Sequence, residues 1–358
     1  MTGPFTFAIA GGGTGGHVIP ALAVARELRR RGHLCFFIGT RHGLEAKLVP
    51  ADGFAIEWIE IGGLKRVGLT RTLRTLAQLP VSLARVVRLL RRRSAAAVFS
   101  TGGYVAGPVM LAAGFRRMPL VVMEPNAMPG LANRRASPWV SRALVNFPEA
   151  ARFFPRGRTE VTGLPVRDEF FSIGPKPRGE ELRVLVTGGS LGSRTLNQAV
   201  LGSVPLFREA NFPVRFLHQT GASQYSGVAG RAVEIGFPGN VVAFVDDMPA
   251  AFAQADVVVC RAGGTVAELA AAGKPAILVP LPFAADNHQL RNAEALANAG
   301  AARLIPDREM DGQRLFVELT KLATADGALE RMSEAVRQFA RPGAAKRAAD
   351  VMETLVSS

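Results

Sequence analysis

The sequence predicts an α/β protein built from two Rossmann-like, doubly wound domains that face a cleft. Short continuous apolar runs, typical of parallel strands covered on both faces, alternate with glycine turns and helical segments along the 358 residues. The glycine turn at residues 11–17 is echoed by the turn at residues 187–193, which indicates two similar halves. A chain of this length also exceeds what one hydrophobic core usually covers.

Each predicted strand is a buried run that ends in a turn or loop. In the first half the predicted strands cover residues 5–10, 34–38, 98–100 and 120–123. In the second half they cover residues 182–186, 214–219, 241–245, 256–260 and 275–281. We expect a first domain over residues 1–165 and a second over residues 166–339, with a hinge at residues 159–168. The last helix, within residues 340–358, is expected to pack back on the first domain.

The first domain carries the excess positive charge of the chain. The formal net charge is +14. Residues 1–165 hold 23 basic against 8 acidic residues, a difference of +15, whereas the remainder holds 20 against 21. A charge that served solubility alone would be spread over both halves, so we expect a specific anionic partner for the first domain.

The cysteines and histidines predict neither a disulfide nor a metal site. Cys35 and Cys260 both lie in apolar runs, which is typical of buried, reduced thiols in a cytosolic protein. No two of the five histidines have metal-ligand spacing, and no Cys-x-x-Cys occurs. The N-terminus also lacks the pattern of a signal peptide. We therefore expect a cytosolic protein without a metal.

The stretch at residues 255–289 predicts a nucleotide site. A buried strand ends in the turn at residues 262–264, and a helix follows over residues 265–272. Unpaired N–H groups at the start of such a helix suit a phosphate. Glu268, in the first turn, is placed to bridge two vicinal hydroxyls of a ribose, so a nucleoside diphosphate is the predicted ligand.

Simpler interpretations of these residues stay open. Thr265-x-x-Glu268 is also a capping box, and Asp286-x-x-Gln289 is close to one, so both acceptors would then only close helix ends. Asn126, after the fourth predicted strand, suits either a ligand contact or a turn. Asp246 and Asp247 resemble a metal pair, but an Asp before a proline more often caps a helix. For Asn126 and for the Asp246 and Asp247 pair we favour the structural interpretation, and for either tetrad taken alone we favour the helix cap.

The first glycine turn contains the spacing G-x-G-x-x-G at Gly11, Gly13 and Gly16, between a strand and a helix. An NAD site also needs an acidic residue at the end of the next strand. That strand exits through Gly39, Thr40 and Arg41 instead. Arg41 leaves a 2′-phosphate, and so NADP, as the weaker alternative for this turn.

Residues 64–93, from Leu64 to Arg93, predict an amphipathic helix with a wholly cationic polar face. Its basic residues include Arg85, Arg88, Arg91, Arg92 and Arg93, and no acidic residue lies among them. Such a helix suits an anionic membrane surface, at about 1 kcal/mol per basic residue near it. A helix that faces the core and has a solvated basic back is an equal alternative. RNA binding is a third, although the stretch lacks interleaved aromatic residues.

Nine motifs in order give the chain a resemblance to a known family. They are GGGTGGHVIPALAVA, STGGYVAGPV, EPNAMPG, TGLPVR, VTGGSLGSRTLN, HQTG, FVDDM, CRAGGTVAEL and DNHQLRNA. The chain resembles the MurG family of bacterial cell-wall glycosyltransferases. The resemblance implies a GT-B enzyme, inverting, without metal or cofactor, that moves GlcNAc from UDP-GlcNAc to the 4-hydroxyl of MurNAc-pentapeptide on undecaprenyl diphosphate, converting lipid I to lipid II.

The resemblance also implies roles for individual residues. Those assigned to UDP-GlcNAc are Thr14, Gly15, Gly16, Asn126, Arg167, Ser190, Val245, Gly264, Thr265, Glu268, His288 and Gln289. Glu268 would hold the ribose, Val245 would meet uracil through its backbone, and Ser190 would lie by the diphosphate. Arg261 or Arg167 would meet the charge of departing UDP. His17 would be the base for the acceptor hydroxyl or would bind the acceptor's diphosphate.

The acceptor side is assigned to the first domain. Tyr104 is expected near the acceptor, and the basic helix at residues 64–93 would dock on anionic lipid at the cytoplasmic face of the membrane, as a peripheral protein. Other cell-wall synthesis proteins are further partners, and no nucleic acid is expected. In the family the turn at residues 261–268 is commonly one residue longer, and some members have Gln at the position of His288.

Three other classes of protein remain as alternatives. A transferase with another acceptor, such as a lipid or a natural product, would share the donor site. An NAD(P)-dependent oxidoreductase would explain only the turn at residues 11–16. A basic RNA-binding module has the least support.

Overall fold

The computed structural model describes residues 3–62, 68–177 and 179–357, and the side chains of residues 68–77 and of Ala285 are outside the description. The chain divides into two compact units. The first comprises Met1–Pro165 with Gly343–Ser358, and the second comprises Val166–Pro342.

The first unit is built on a parallel sheet. Its strands are β1 (Thr6–Gly11), β2 (Leu34–Gly39), β3 (Ala55–Trp58), β4 (Ala97–Gly102), β5 (Leu120–Glu124), β6 (Arg142–Val145) and β7 (Thr159–Val161), in the order β3-β2-β1-β4-β5-β6-β7. Its helices are α1 (Gly15–Arg30), α2 (Glu45–Ala51), α3 (Gly68–Arg92), α4 (Ala106–Phe115) and α5 (Leu131–Ala136). The central strands are fully buried because helices cover both faces of the sheet.

The second unit repeats this plan. After helix α6 (Asp168–Phe171), its strands are β8 (Leu182–Thr187), β9 (Val214–Gln219), β10 (Gly239–Val242), β11 (Val257–Cys260), β12 (Ala276–Leu278) and β13 (Arg303–Leu304), in the order β10-β9-β8-β11-β12-β13. Its further helices are α7 (Arg194–Glu209), α8 (Tyr225–Glu234), α9 (Met248–Gln254), α10 (Thr265–Ala272), α11 (His288–Asn298), α12 (Gly312–Thr324) and α13 (Ala328–Arg337). Short 3-10 helices cover Ser137–Trp139, Pro148–Phe153, Ala285–Asn287 and Asp307–Glu309.

The strand order defines where ligands bind. In each sheet the strands are first added on one side of the first strand and then on its other side. The strand order therefore reverses between β1 and β4 and again between β8 and β11. In such doubly wound sheets the crevice lies at this switch point, outside the carboxyl ends of the strands. The prediction of two Rossmann-like sheets is confirmed, and the residues picked out by sequence follow those strand ends.

Some predicted strand boundaries were wrong. The stretch predicted as a hinge, residues 159–168, contains the division between the two units after Pro165, but its first residues, Thr159–Val161, form a strand that pairs with β6. The strand predicted at residues 241–245 is β10, Gly239–Val242, so Val245 lies in the loop beyond it. The strand predicted at residues 275–281 is only Ala276–Leu278. Helix α1 starts at Gly15, which places Gly15, Gly16 and His17 in its first turn.

The C-terminal helix α14 (Ala344–Ser357) packs on α1 in the first unit. Arg31 donates to Asp350 at 2.7 Å and to Glu353 at 2.6 Å. His33 contacts the same Glu353 at 2.9 Å. Arg347 makes a bidentate ion pair with Glu160 of β7. Ion pairs of α14 thus connect the end of the chain to the segment between α1 and β2 and to the edge strand β7 of the first sheet.

Helix α3 corresponds to most of the basic stretch, although residues 63–67 lie outside the described residues. Its second half packs on the core, with Val86 and Leu90 fully buried. Arg85, Arg88 and Arg91 are exposed on the opposite side. The alternative of a core-facing helix with a basic back therefore describes this half of α3.

Arg92 and Arg93 differ from the other arginines of α3. Both form ion pairs with Glu57 of β3, at 3.0 Å and 2.6 Å. The basic stretch contains no acidic residue, but the fold supplies one from a neighbouring strand. Among the described residues, no helix has both the length and the apolar character to span a membrane.

Candidate functional site

Glu268 lies at the switch point of the second unit. Helix α10 starts at Thr265 with Gly264 as its N-cap, and no side chain caps it. The predicted capping box of Thr265 and Glu268 is therefore not formed. In the part of the chain that the structure describes, the Glu268 carboxylate has no hydrogen-bond partner, and burial raises its pKa while the charge of Arg167 lowers it. An acidic acceptor without a protein partner, at the crevice, is available to a ligand.

The loop that precedes α10 is open. Gly264 is exposed, and a Cβ added there would meet no atom within 4 Å. Arg167 is the N-cap residue of α6 and is exposed in the same unit as Glu268. The start of α10 thus presents backbone N–H groups and a positive dipole end beside a carboxylate and a guanidinium.

Arg261 directly follows β11, the strand before this loop, and its side chain has protein partners. Its guanidinium pairs with Asp307 at 2.5 Å, donates to the Ser193 hydroxyl at 2.7 Å and to the Val279 carbonyl at 2.9 Å. Its side chain is 11% exposed. Arg261 therefore ties the loops after β8, β12 and β13 together. Its positive charge is largely met by Asp307.

The loop after β8 holds Ser190. Ser190 is exposed, and Ser193 caps α7 by accepting from the Leu196 N–H at 3.3 Å. Glycines are required here because the loop lies against the turn after β9: a Cβ on Gly192 would overlap the Thr220 carbonyl oxygen. The backbone of this loop is thereby held close to the start of α7, where an anion is favoured.

Val245 follows β10, and its backbone N–H is engaged. It donates to the side-chain oxygen of Gln219 at 2.8 Å. The carbonyl of Val245 is therefore the backbone group that remains for a nucleobase. Phe244, its neighbour, is 55% exposed.

Gln289 connects two of the strand ends. Its side-chain oxygen accepts from the Leu281 N–H at 2.9 Å, and its Nε2 lies 3.7 Å from where a Cβ of Gly263 would be. Asn287, not Asp286, is the N-cap residue of α11, and the Asn287 side chain makes no capping hydrogen bond. His288 begins α11 beside Gln289. Asp286 and Asn287 have φ of 53° and 54°, a left-handed conformation that costs energy in non-glycine residues and often marks a functional site.

In the first unit the glycine turn lies at the switch point beside β4. Thr14 is the N-cap of α1 and is exposed, but its side chain makes no capping hydrogen bond. Gly15 and Gly16 form the first turn of α1. No acidic residue lies in that first turn. The start of α1 therefore suits an anionic group of a ligand.

His17 is held by Thr101 of β4. The His17 Nδ1 contacts the Thr101 carbonyl at 2.8 Å, and the Thr101 hydroxyl donates to the His17 carbonyl at 2.8 Å. Since a carbonyl only accepts, Nδ1 carries the proton of the neutral ring and Nε2 carries the lone pair. That is the form of histidine that a general base needs.

A buried carboxylate, Glu45, supports the glycine turn from behind. It is 1% exposed and accepts from the Gly13 N–H at 2.8 Å and from the Thr40 N–H and hydroxyl at 3.1 Å and 2.9 Å. The Thr40 hydroxyl also bonds the Tyr104 hydroxyl at 2.8 Å. Since an internal carboxylate occupies the Gly13 N–H, this turn differs from the pyrophosphate turn of a dinucleotide site. The oxidoreductase alternative is thereby weakened.

A second buried carboxylate, Glu124, organises the loop that carries Asn126. It accepts from the backbone and side-chain nitrogens of Asn126 at 2.9 Å and 3.0 Å, from the Gly130 N–H at 3.1 Å and from Asn133 at 2.7 Å. Burial raises the pKa of Glu124 to about 7, and these hydrogen bonds oppose the rise. Asn126 is thus a structured turn residue at a strand end, consistent with both sequence interpretations.

Of the pair Asp246 and Asp247, the second residue caps a helix, as the structural interpretation predicts. Asp247 is the N-cap of α9 and accepts from the Ala250 N–H at 3.0 Å. Within the described ranges no group of three His, Cys, Asp or Glu residues is placed to hold a metal ion.

Sequence reasoning did not identify Glu45, Glu124 or Gln219 as parts of the site. Each is buried and contacts a loop that contains a predicted residue. Glu45 lies in a short helix whose pattern does not show that its carboxylate turns inward. Glu124 and Gln219 each end a buried strand, and a polar residue at that position was the available signal.

Two domain families match the chain. The glycosyltransferase family 28 N-terminal domain matches residues 7–145, and the glycosyltransferase family 28 C-terminal domain matches residues 183–355. The chain is 60% identical, over 349 residues, to a protein of Solibacter usitatus (strain Ellin6076), with 97% of this chain and 95% of that protein covered. That relative is named UDP-N-acetylglucosamine--N-acetylmuramyl-(pentapeptide) pyrophosphoryl-undecaprenol N-acetylglucosamine transferase.

Solved structures agree with these matches. The chain is similar to the crystal structure of MurG of Acinetobacter baumannii, with a TM-score of 0.82, 31% identity and coverage of 98% of this chain and 100% of that one. It is also similar to the glycosyltransferase of kitacinnamycin, with a TM-score of 0.76, 22% identity and coverage of 99% and 100%. At 22% identity that second likeness concerns the fold alone. With both domain matches and the relative at 60% identity, the chain belongs to glycosyltransferase family 28.

Proposed function

We propose that this protein transfers GlcNAc from UDP-GlcNAc to the 4-hydroxyl of MurNAc-pentapeptide on undecaprenyl diphosphate, with inversion at the sugar carbon. The observation that carries the proposal is the 60% identity, over 97% of the chain, to a transferase named for this donor and acceptor. The product is lipid II, a precursor of peptidoglycan.

We assign the donor nucleotide to the strand ends of the second unit. Glu268 would accept from both ribose hydroxyls, and its lack of a protein partner in the described structure supports this role. The carbonyl of Val245 would accept from uracil, since the N–H of Val245 already donates to Gln219. The loop with Ser190 and the open start of α10, Gly264 and Thr265, would hold the diphosphate.

Departure of UDP requires positive charge at the diphosphate, because the leaving group gains negative charge. Arg167, exposed and acting on Glu268, is the cation that we place nearest the ligand. Arg261 would act mainly as a positioning residue, because its guanidinium already pairs with Asp307 and Ser193. Helix N-termini at α7 and α10 would supply the remaining stabilisation. Gln289 and His288 would contact the sugar hydroxyls.

We assign acceptor activation to the first unit. His17 would remove the proton from the attacking hydroxyl through Nε2, since its Nδ1 is held by the Thr101 carbonyl. Tyr104, linked to Glu45 through Thr40, would line the acceptor side. Asn126 and the turn of Thr14, Gly15 and Gly16 would complete the contacts to the substrates.

We further propose a peripheral location at the cytoplasmic face of the membrane, where a lipid-linked acceptor resides. The +15 charge of residues 1–165 supports this location. So do the exposed Arg85, Arg88 and Arg91, and the apolar Val81 and Phe115, which are 71% and 70% exposed. Anionic lipid attracts such cations, and exposed apolar side chains enter the headgroup region.

The experiment that tests the proposal is transfer of labelled GlcNAc to a short-chain lipid I analogue in EDTA. UDP-GlcNAc should give labelled product, and UDP-glucose should give far less. Absence of product, with UDP binding still seen by calorimetry, would contradict the acceptor assignment while leaving a nucleotide site in place. Loss of activity in EDTA, restored by a divalent ion, would contradict the metal-independent mechanism.

A further inference from the structure

Gln219 is a buried amide whose polar atoms are all engaged. It is the last residue of β9 and is 1% exposed. Its Nε2 donates to the Thr187 hydroxyl and to the Gly189 carbonyl, both at 3.0 Å. Its Oε1 accepts from the Val245 N–H at 2.8 Å. One side chain thus contacts the loops on both sides of its own strand.

Those two loops have different proposed tasks. The loop after β8 contains Gly189 and Ser190 and is assigned to the diphosphate, whereas Val245 is assigned to the base. β9 lies between β8 and β10 in the sheet, with Gln219 in register with both Thr187 and Val242. The loops therefore leave strands that do not pair with each other, and the Gln219 side chain joins them.

The Gly189 backbone is held on both sides. Its N–H donates to the Thr187 hydroxyl at 3.1 Å, and its carbonyl accepts from Gln219. Its φ is +82°, a left-handed conformation that the loop requires and that these two hydrogen bonds stabilise. A change at Gln219 therefore acts directly on the conformation of the diphosphate loop.

We propose that Gln219 is a positioning residue that sets the spacing between the base loop and the diphosphate loop, and so makes the site selective for a uridine diphosphate. This inference rests on the proposed function, since it assumes a uridine nucleotide in the second unit. Only an amide supplies an acceptor for Val245 and donors for Gly189 and Thr187 on one planar group. A carboxylate at this position keeps the acceptor but faces the Gly189 carbonyl with a second acceptor.

The test compares the affinities of uridine and UDP by calorimetry at pH 8.5. In Gln219→Glu, uridine should bind within about threefold of the wild type, while UDP should bind about tenfold or more weakly, because only the donor contacts are lost. In Gln219→Met the binding of both ligands should weaken. Ser333→Ala is the control, since it removes a partly buried hydrogen bond from Ser333 of α13 to the Gly273 carbonyl at the end of α10. It should leave both affinities unchanged.

The ratio of the two affinities decides between positioning and general support of the fold. The proposal is overturned if Gln219→Glu weakens the binding of uridine and of UDP by the same factor. It is also overturned if the substitution changes neither affinity. If the Gln219 variants do not fold, Thr187→Val provides the same comparison, because it removes the hydroxyl that holds both Gly189 and Gln219. Thr187→Val should likewise weaken the binding of UDP more than the binding of uridine. Equal weakening of the two affinities contradicts the proposal. Wild-type protein that binds neither ligand would instead overturn the proposed function itself.

Discussion

At the scale of single residues, Glu268, which is partly exposed, differs from the buried carboxylates Glu45 and Glu124. Glu45 and Glu124 accept hydrogen bonds from several protein donors. Glu268 has no such donor among the described residues, and burial raises its pKa. A partly buried acceptor that has no protein donor loses part of its solvation without compensation, and a bound ligand with two hydroxyls would supply the missing hydrogen bonds.

Replacing Glu268 with Ala should raise the KM for UDP-GlcNAc by about 10- to 100-fold, because hydrogen bonds to a charged group contribute about 1.5–3 kcal/mol. The ribose contact exists in the ground state and the transition state alike, so kcat should change much less. Steady-state kinetics with varied donor checks this. Glu268→Gln, which keeps one acceptor, should fall between wild type and Ala, and a wild-type KM in the Ala variant would refute the ribose assignment.

The raised pKa of Glu124 predicts how the free energy of unfolding depends on pH. Its pKa is about 7 in the folded protein, above the usual value of 4.5, so the folded state binds more protons between these pH values. Its contribution to the free energy of unfolding is therefore greatest near pH 4.5, falls as pH rises to about 7, and is flat above that. The fall should be a few kcal/mol, since one pKa unit corresponds to about 1.4 kcal/mol.

Denaturant unfolding of wild type and Glu124→Gln across pH 4.5–8 measures this contribution as a difference, so that all other titrating groups cancel. The stability of the wild type relative to the variant should decline as pH rises. A difference that is independent of pH, or that grows with pH, would show that burial does not control the ionisation of Glu124.

The residues of the site differ in how far they could be predicted. Glu268 and Gln289 follow recognisable strand and turn patterns, so their position at a strand end could be inferred. Glu45 could not be inferred, because its role depends on α2 turning a carboxylate toward Gly13, which lies 32 positions away. The ion pair of Arg261 with Asp307 is likewise a contact between distant strand ends.

At the scale of secondary-structure elements, the positions of the central strands were predicted better than their ends, whereas β3, β6, β7 and β13, at or near the sheet edges, were not predicted. Val214–Gln219 and the helix Thr265–Ala272 agree with the sequence-based prediction. Apolar runs continue past the paired residues of β10 and β12, into Phe244, which is 55% exposed, and Val279, which is fully buried. An apolar run therefore does not by itself mark where a strand ends, because pairing depends in addition on the length of the neighbouring strand.

Helix α3 makes a prediction about membrane binding. Replacing Arg85, Arg88 and Arg91 with Gln should weaken binding to anionic vesicles by about 100-fold at low salt, at about 1 kcal/mol per residue. The loss should shrink at high salt, because screening weakens the wild-type attraction. Vesicle sedimentation at two salt concentrations measures both effects.

The control for this prediction removes the same charge from the second unit. Arg183, Arg303 and Arg308 are exposed there, and their replacement with Gln should leave vesicle binding near the wild-type level. Equal weakening in the two triple variants would indicate that net charge alone, and not α3, attracts the protein to the membrane. Binding of the wild type that does not depend on salt would argue against electrostatic docking.

At the scale of the whole molecule, the two units share one strand order, and the repeated glycine turns in the sequence made this predictable. Their charges differ, since the basic excess lies in residues 1–165. A basic unit suits a lipid-linked diphosphate at an anionic surface, and a near-neutral unit suits a soluble nucleotide sugar. The division of charge between the units therefore agrees with the proposed division of acceptor and donor.

The central claim is an inverting transfer to the 4-hydroxyl of the acceptor sugar. The most direct measurement is proton NMR of the product made from UDP-GlcNAc and a short-chain lipid I analogue. A β-linkage to carbon 4 of the MurNAc residue, read from the coupling constant of the new anomeric proton and its cross-peak to that carbon, is the predicted result. An α-linkage, or attachment at another hydroxyl, would contradict the account.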